Sequence, residues 1–195
     1  MKNLPPSNQK NIKNLLKERE IDQPIDLEVG AGVGWHAITR SKENPKRYLI
    51  AIERTKNKFK KFNQRYIGNN SPGNLLIVHS DAINWVNENV SSKMISKIFI
   101  LYPNPYPKKS DLNKRFYAMG FMEKLIDILK PGGEIQLATN KKFYADETKE
   151  YLTQIYKLEL LNDKILKAEK PRTHFEKKYL LNNEKCFDLT FKKTI

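Results

Sequence analysis

The chain has 195 residues, of which 36 are lysine or arginine and 22 are aspartate or glutamate, so its formal net charge is +14. This length suits one domain with a substantial core. The charge favours a polyanionic partner such as nucleic acid, although a lysine-rich composition bias is a competing explanation. No apolar run is long enough to span a membrane, and the lone Cys186 excludes an internal disulfide. We therefore expect a cytoplasmic protein without membrane contacts. The three scattered histidines and single cysteine predict no metal site.

Hydrophobic periodicity predicts strands that alternate with helices along the chain. The predicted strands lie at 25–29, 48–52, 75–78, 97–101 and 134–138, with a half-buried antiparallel strand at 187–191. The predicted helices are a basic helix over 8–21, a helix from Trp35, a basic helix after the second strand, a helix over 115–129 that 131–133 ends, and a helix over about 143–156. The second basic helix has Phe59, Phe62 and Tyr66 on one face. This alternation predicts a Rossmann-like, doubly wound α/β fold, with a mostly parallel sheet and an antiparallel C-terminal strand. We expect residues 1–195 to form a single domain, with 1–22 appended as a basic helix.

A glycine-rich segment, running from Glu28 to Gly34, follows the first predicted strand. Glycine lets the backbone turn sharply and lets a ligand approach without a Cβ in the way. The spacing Gly-x-Gly-x-Gly differs from the dinucleotide fingerprint Gly-x-Gly-x-x-Gly/Ala. An acid before the first glycine suits the cationic amine and sulfonium of S-adenosylmethionine, whereas it would repel a pyrophosphate. We therefore predict S-adenosylmethionine as the cofactor, bound by Glu28, Gly30, Gly32 and Gly34.

Polar residues also end the next three strands, and ligands of such sheets bind at the carboxyl ends of the strands. Glu53 lies near the offset of about 20 residues at which an acid receives ribose hydroxyls, although a solvated acid is the alternative. Asp81 and Ala82 fit recognition of the adenine edge. Asp81 also fits the N-cap of the following helix, and the two roles can coexist. Asn104 follows the fourth strand and completes the predicted cofactor site.

Residues 101–109 read Leu-Tyr-Pro-Asn-Pro-Tyr-Pro-Lys-Lys, which resembles the Pro-Asp-Pro-Trp-x-Lys-Lys motif of the bacterial tRNA (guanine-N7)-methyltransferases. The segment Leu-Ala-Thr-Asn at 137–140 is similar to the family's strand that ends in Thr-Asp. The segment Pro-Arg-Thr-His-Phe-Glu-Lys at 171–177 resembles its Thr-Lys-Phe-Glu substrate motif. The resemblance covers about residues 10–193, in the family's order. It implies an S-adenosylmethionine-dependent enzyme that methylates guanine N7 in tRNA, which the family does at position 46 of the variable loop.

Carried over residue by residue, the resemblance implies cofactor contacts at four strand ends and tRNA contacts elsewhere. The implied cofactor residues are Glu28, Glu53, Asp81 and Asn104. The implied tRNA or guanine contacts are Lys108, Asn140, Thr173, His174, Phe175 and Glu176. Relatives act as monomers, dimers or heterodimers, so a monomer or homodimer is expected.

Two family aspartates are amides in this chain, at Asn104 and Asn140, and Tyr106 replaces a tryptophan. Guanine N7 carries a lone pair and no proton, so in-line attack on the methyl group needs no general base, and positioning supplies most of the catalysis. A carboxylate in place of the amide would stabilise half a unit of positive charge on the purine by roughly 2 kcal/mol at about 4 Å and an effective dielectric constant of about 20. We therefore predict that Asn104 is catalytic through alignment of the cofactor and the base.

Two other functions remain open. The segment from Asn104 to Pro107 is similar to the Asn-Pro-Pro-Tyr/Phe motif of enzymes that methylate amino nitrogens of adenine or glutamine. The amide substitutions also fit an RNA-binding relative that has lost turnover. The residues expected to follow RNA phosphates are Lys56, Lys58, Lys60, Lys61, Lys108, Lys109, Lys114 and Arg115. Thr173 and Glu176 fit either the guanine edge or a helix capping box.

Overall fold

A computed structural model describes residues 23–166 and 170–194, so the helix predicted over 8–21 lies outside the described residues. The strands are β1 (Ile25–Val29), β2 (Tyr48–Glu53), β3 (Leu75–His79), β4 (Ile95–Leu101), β5 (Leu129–Thr139), β6 (Glu159–Ile165) and β7 (Phe187–Lys192). The helices are α1 (Trp35–Glu43), α2 (Lys56–Gly68), α3 (Ala82–Asn89), α4 (Phe121–Ile128), α5 (Lys142–Glu150, continued by a π-helical turn over Tyr151–Ile155) and α6 (His174–Leu181). Two 3₁₀ turns, Lys109–Lys114 and Phe116–Ala118, precede α4.

The described residues form a seven-stranded sheet in the order β3-β2-β1-β4-β5-β7-β6. Strands β1 to β5 are parallel, and β7 runs antiparallel to both β5 and β6. The predicted α/β fold with an antiparallel C-terminal strand is therefore confirmed. The strand order reverses between β1 and β4, which places a crevice at the carboxyl ends of these two strands.

The central strands are apolar on both faces because helices cover both sides of a parallel sheet. Leu27 and Ile50 are fully buried in one core cluster, which also holds the buried apolar side chains of α4 and α5. Leu49 and Phe99 belong to a second cluster on the other face, with Phe62 of α2. This double burial fixes the register of the strands and hence the positions of the residues at their ends.

The helix predicted over 115–129 is wrong in its first half. Only Phe121–Ile128 is α-helical, because Arg115 and Met119 both have extended backbone, with ψ of 134° and 149°. The apolar spacing before Gly120 comes from the 3₁₀ turn Phe116–Ala118, which buries Tyr117 and partly buries Phe116 against the core. The helix ends before Pro131, as predicted, but β5 already begins at Leu129.

Two further elements differ from the sequence prediction. The edge strand β6 was not predicted, because its residues are mostly exposed and carry no alternating pattern. The last strand, β7, was predicted as half-buried, yet Asp188 and Thr190 are buried as well as its apolar residues. Asp188 is accommodated because it accepts hydrogen bonds from Gln136 and Arg172. Within the described part of the chain, no helix has the length and apolar character needed to cross a membrane.

Candidate active site

Two adjoining cavities of about 270 and 300 Å³ lie at the carboxyl ends of β1, β2 and β4. Both have Gly30, Gly32, Lys58, Leu101 and Phe175 in their walls. The first cavity is additionally lined by Glu28, Trp35, His36, Lys61, Thr173 and His174, among others. The second is additionally lined by Glu53, Asp81, Ala82, Asn104, Tyr106 and Lys114, among others. The structure thus brings the four strand-end residues of the predicted cofactor site to one composite cavity.

The glycine loop is bound to the neighbouring strand by its backbone. The amides of Gly30 and Ala31 both donate to the carbonyl of Ile52 at 2.9 Å. Gly30 and Gly32 have φ of +78° and +60°, in the left-handed region that favours glycine. A Cβ at either position would meet no described atom within 4 Å, so the space beside them is open to a ligand.

Gly34 has a different role from the one predicted. Its φ is +76°, and a Cβ there would overlap the buried ring of Phe62. It begins helix α1 and lies outside the walls of both cavities. Packing of α1 against α2 therefore explains this glycine, whereas direct approach of a ligand does not.

Glu28 lies at the wall of the first cavity and faces the first turn of α1. Its Oε2 is 3.0 Å from Nδ1 of His36, and both residues are buried. The edge of the His36 ring contacts Phe99, with ring centroids 4.9 Å apart. The sequence does not predict this contact, because nothing local in it shows that the first turn of α1 packs against the end of β1.

Glu53 holds the glycine loop through both carboxylate oxygens. Oε2 accepts a hydrogen bond from the amide of Gly32 at 2.8 Å, and Oε1 accepts one from the amide of Thr55 at 2.6 Å. The residue is only 5% exposed, yet it lines the second cavity. It is therefore an ordered acceptor at the end of β2, not the solvated acid that was the alternative.

Asp81 combines the two roles considered for it. Its Oδ1 accepts from the amides of Ile83 at 2.9 Å and Asn84 at 3.4 Å, which is an N-cap of α3. Its Oδ2 lies 3.6 Å from a guanidinium nitrogen of Arg54. Asp81 and Ala82 line the second cavity while this cap is formed.

Asn104 is exposed at the rim of the second cavity. Its Oδ1 accepts a hydrogen bond from the amide of Tyr106 at 3.3 Å, so its NH₂ group faces away from that amide. Tyr102 and Tyr106, on either side, have φ of +54° and +44°. Non-glycine residues rarely adopt such angles, and they mark this proline-rich loop as held by its surroundings. Lys114 lies over the Tyr106 ring, 5.8 Å from its centroid.

Arg115 does not follow phosphates, contrary to the prediction. It is 3% exposed, and its guanidinium donates to the carbonyls of Tyr106, Pro107 and Lys108 at 3.0–3.4 Å. It also forms an ion pair with Glu147. The other predicted phosphate contacts remain accessible, since Lys56, Lys58, Lys60, Lys61, Lys108, Lys109 and Lys114 are all exposed.

Thr173, His174 and Phe175 form a wall of the first cavity at the start of α6. The Oγ1 of Thr173 accepts from the amide of Glu176 at 2.9 Å, so Thr173 is the N-cap of this helix. The ammonium group of Lys58 lies 5.5 Å from the centroid of the Phe175 ring and joins α6 to α2 across the cavity. The helix-cap alternative therefore describes Thr173, which lies beside the predicted site at the same time.

Glu176 is buried and faces the protein. Its Oε2 accepts from the Tyr102 hydroxyl at 2.8 Å and from Arg172 at 2.9 Å, while its Oε1 accepts the amide of Arg172 at 2.8 Å. Burial raises the pKa of this carboxyl, but hydrogen bonds and charge from Arg172 outweigh it, so the pKa lies below its ordinary value. Glu176 lies outside the walls of both cavities in this arrangement.

Two other predicted tRNA contacts also lie outside the cavity walls. Lys108 is exposed beyond the proline-rich loop. Asn140 donates through Nδ2 to Oε2 of Glu184 at 2.6 Å. The structure therefore brings the predicted cofactor residues together more closely than the predicted tRNA residues. Among the residues that the structure describes, no group of three histidine, cysteine, aspartate or glutamate side chains is arranged to hold a metal ion.

Comparisons with known proteins find similarity to methyltransferases. A family model described as "Putative methyltransferase" matches residues 22–189. A tRNA (guanine-N(7)-)-methyltransferase of Mycoplasma pneumoniae is 30% identical over 182 residues, covering 88% of this chain and 85% of the relative. The enzyme of the same description from Nitrosococcus oceani is 27% identical over 169 residues, covering 87% and 71%.

Solved structures share the fold at low sequence identity. The 16S rRNA methyltransferase KamB superposes with a TM-score of 0.70 at 17% identity, covering 100% of this chain and 97% of that one. A methyltransferase from Pyrococcus furiosus gives a TM-score of 0.61 at 19% identity, covering 100% and 89%. These likenesses show the fold alone.

Proposed function

Because the chain belongs to the tRNA (guanine-N7)-methyltransferase family, we propose that it transfers a methyl group from S-adenosylmethionine to N7 of a guanine in tRNA. The observation that carries this proposal is the convergence of three strand-end carboxylates, from Glu28, Glu53 and Asp81, on a cavity beside the glycine loop. The family relationship supplies the substrate, and the cavity supplies a place for the methyl donor.

The residues present fit S-adenosylmethionine, which supplies the methyl group when it is bound. Glu28 provides a carboxylate for the cationic amine, and the bare backbone of Gly30 and Gly32 permits close approach. Glu53 accepts ribose hydroxyls with the lone pairs that its two backbone hydrogen bonds leave free. Asp81 and Ala82 receive the adenine edge. The two cavities, of about 270 and 300 Å³, share a wall, and only together do they fall well within the size range of ligand sites, roughly 300–1,000 Å³.

Asn104 would position the target base. The backbone amide of Tyr106 donates a hydrogen bond to Oδ1 of Asn104, so the NH₂ group of Asn104 is the donor available at the cavity rim. Guanine presents two acceptors, N7 and O6, on its Hoogsteen edge, whereas adenine presents an amino group in place of O6. A donor to O6 leaves the N7 lone pair free for in-line attack on the methyl group. This orientation favours guanine N7 over methylation of an amino nitrogen.

The exposed lysines beside the cavity would hold the RNA backbone. Lys58, Lys61 and Lys114 lie in the cavity walls, and the other exposed lysines of α2 extend the positive surface. Such contacts supply affinity that falls with salt. Tyr106 would stack on the base. We also propose that Lys108, Asn140, Thr173, His174 and Phe175 contact the tRNA, and that the modified base is at position 46 in the variable loop, as the family resemblance implies.

The test is to incubate the protein with an unmodified tRNA transcript and methyl-labelled S-adenosylmethionine, then digest the tRNA and identify labelled nucleosides by mass spectrometry. We expect 7-methylguanosine, and aniline cleavage then gives its position. Asn104→Ala should slow single-turnover transfer at least about tenfold, whereas Asn113→Ala, at an exposed amide in the same region, should not. A methylated adenine would overturn the proposal, as would a protein that binds tRNA but not S-adenosylmethionine.

A further inference from the structure

The buried guanidinium of Arg115 lies under the proline-rich loop. Arg115 connects the two 3₁₀ turns, and its guanidinium donates to three successive carbonyls, those of Tyr106 at 3.0 Å, Pro107 at 3.4 Å and Lys108 at 3.3 Å. A guanidinium carries five N–H donors in a rigid plane, so it can hold several acceptors at once. These contacts fix the backbone of the loop just after Asn104.

The other side of the guanidinium is anchored to helix α5. Arg115 forms an ion pair with Glu147, and its Nη1 also meets the Tyr117 hydroxyl at 3.2 Å. The Phe143 ring lies 5.1 Å from the centre of the guanidinium. A buried charge is tolerated only when it is paired and hydrogen-bonded, and Glu147 supplies that charge. The loop is thereby tied to α5, which follows strand β5.

The loop needs such a restraint because two of its residues are strained. Tyr102 and Tyr106 have positive φ, which costs roughly 1–2 kcal/mol for each non-glycine residue. Tyr106 is bound at both ends of its backbone, since its carbonyl accepts from Arg115 while its amide donates to Asn104. A continuous chain of contacts therefore runs from Glu147 through Arg115 and Tyr106 to the Asn104 amide.

We propose that Arg115 is a positioning residue for methyl transfer, which holds Tyr106 in its left-handed conformation and so orients the NH₂ group of Asn104 toward the target base. The proposal rests on the proposed function, because it assigns Asn104 to that reaction. Arg115, which the sequence predicts to contact RNA phosphates, is thereby assigned a role inside the protein. A lysine could not reproduce it, because a single ammonium group cannot reach three carbonyls and Glu147 together.

The experiment compares Arg115→Lys with Arg47→Lys. Arg47 is also paired with a carboxylate, that of Asp26, but at the amino end of β1, away from the cavity. Hydrogen exchange is followed by mass spectrometry in the peptides 102–109 and 28–35, and S-adenosylmethionine affinity and single-turnover transfer to tRNA are measured separately. Hydrogen exchange measures the protection of the loop's backbone amides and does not depend on methyl transfer. If the protein fails to methylate tRNA, that result counts against the proposed function, while the exchange measurement still tests the role of Arg115 in holding the loop.

For Arg115→Lys, we expect exchange in 102–109 to rise at least about tenfold and the transfer rate to fall between about tenfold and a hundredfold, since small displacements of reacting groups have effects of this size. In the same variant, exchange in 28–35 and the affinity for S-adenosylmethionine should change less than about twofold. Arg47→Lys should change neither exchange in 102–109 nor the transfer rate by more than about twofold.

The proposal would be overturned if Arg115→Lys left exchange in 102–109 unchanged, or if it raised exchange along the whole chain. If Arg115→Lys does not fold, Glu147→Gln serves instead: faster exchange in 102–109 supports the proposal, and unchanged exchange contradicts it.

Discussion

Nδ1 of His36 lies 3.0 Å from Oε2 of Glu28, so the first turn of α1 meets the end of β1 at the wall of the first cavity. The contact orients a buried carboxylate beside the glycine loop, where the amine of a bound S-adenosylmethionine would need a counter-charge. His36 thus helps to position a group that is proposed to bind the cofactor.

Replacing the carboxylate of Glu28 should weaken cofactor binding. In Glu28→Gln the amine loses a charged partner, and hydrogen bonds to charged groups contribute about 1.5–3 kcal/mol, so the affinity should fall about tenfold or more. Titration calorimetry with S-adenosylmethionine measures this effect. Glu43→Gln, at the exposed end of α1, is the matched control and should bind normally. Equal affinities for the two variants would show that Glu28 does not bind the amine.

Gly30→Ala and Gly34→Ala should have opposite principal effects. Both require a left-handed alanine, at a cost of roughly 1–2 kcal/mol. Only at Gly34 would the added Cβ overlap Phe62, and only Gly30 lines the cavities. Gly34→Ala should therefore lower the unfolding midpoint more, whereas Gly30→Ala should weaken S-adenosylmethionine binding more. Thermal unfolding and calorimetry on both variants check this, and the reverse pattern would refute the assignment of Gly34 to packing.

Asn104→Asp should slow methyl transfer. The carboxylate can still accept the amide of Tyr106, so the loop should keep its shape. It has no N–H to donate to O6 of guanine, and its charge would repel that acceptor, so the rate should fall about tenfold or more, as in Asn104→Ala. Single-turnover kinetics with saturating tRNA provide the measurement. A faster Asn104→Asp variant would contradict the donor role of Asn104 and would show that stabilisation of the cationic purine, roughly 2 kcal/mol for half a unit of charge at about 4 Å and an effective dielectric constant of about 20, matters more.

The ion pair of Arg172 and Glu176 should stabilise the fold at neutral pH but not in acid. The pKa of Glu176 is lowered in the folded state, so its contribution is present above the unfolded value of about 4.3 and is lost as the pH falls through the lower folded value. Thermal unfolding of wild type and Glu176→Gln should therefore differ most at pH 7 and converge in acid. Glu150→Gln, at an exposed carboxylate, should differ little from wild type throughout. A Glu176→Gln effect of constant size across this range would contradict the assignment.

The framework of the site was predictable because it depends on local pattern. The apolar runs of β1, β2 and β4 predict a parallel sheet, and the residues at the ends of such strands share one edge. Glu28, Glu53, Asp81 and Asn104 could therefore be assigned to one cavity from the sequence. Gly34 shows the limit, because its partner, the Phe62 ring, lies on another helix.

The errors arose where long-range contacts decide the local structure. Arg115 directly follows Lys114 and looks like a surface cation, yet it is buried, with a carboxylate on α5 and three loop carbonyls as its partners. The apolar residues after Arg115 do recur at helical spacing, but the extended backbone at Met119 prevents one continuous helix. Glu176 was assigned to the substrate, whereas Arg172 and Tyr102 occupy its oxygens. None of these partners is visible as a sequence pattern.

A crystal structure of the protein with S-adenosylhomocysteine tests the central claim most directly. The account predicts the ligand in the composite cavity, with its amine within hydrogen-bonding distance of Glu28 and its ribose hydroxyls on Glu53, about 3 Å away. The adenine should lie beside Asp81 and Ala82, and the sulfur should face Asn104. A ligand bound elsewhere, or a cavity that stays empty at saturating ligand, would contradict it.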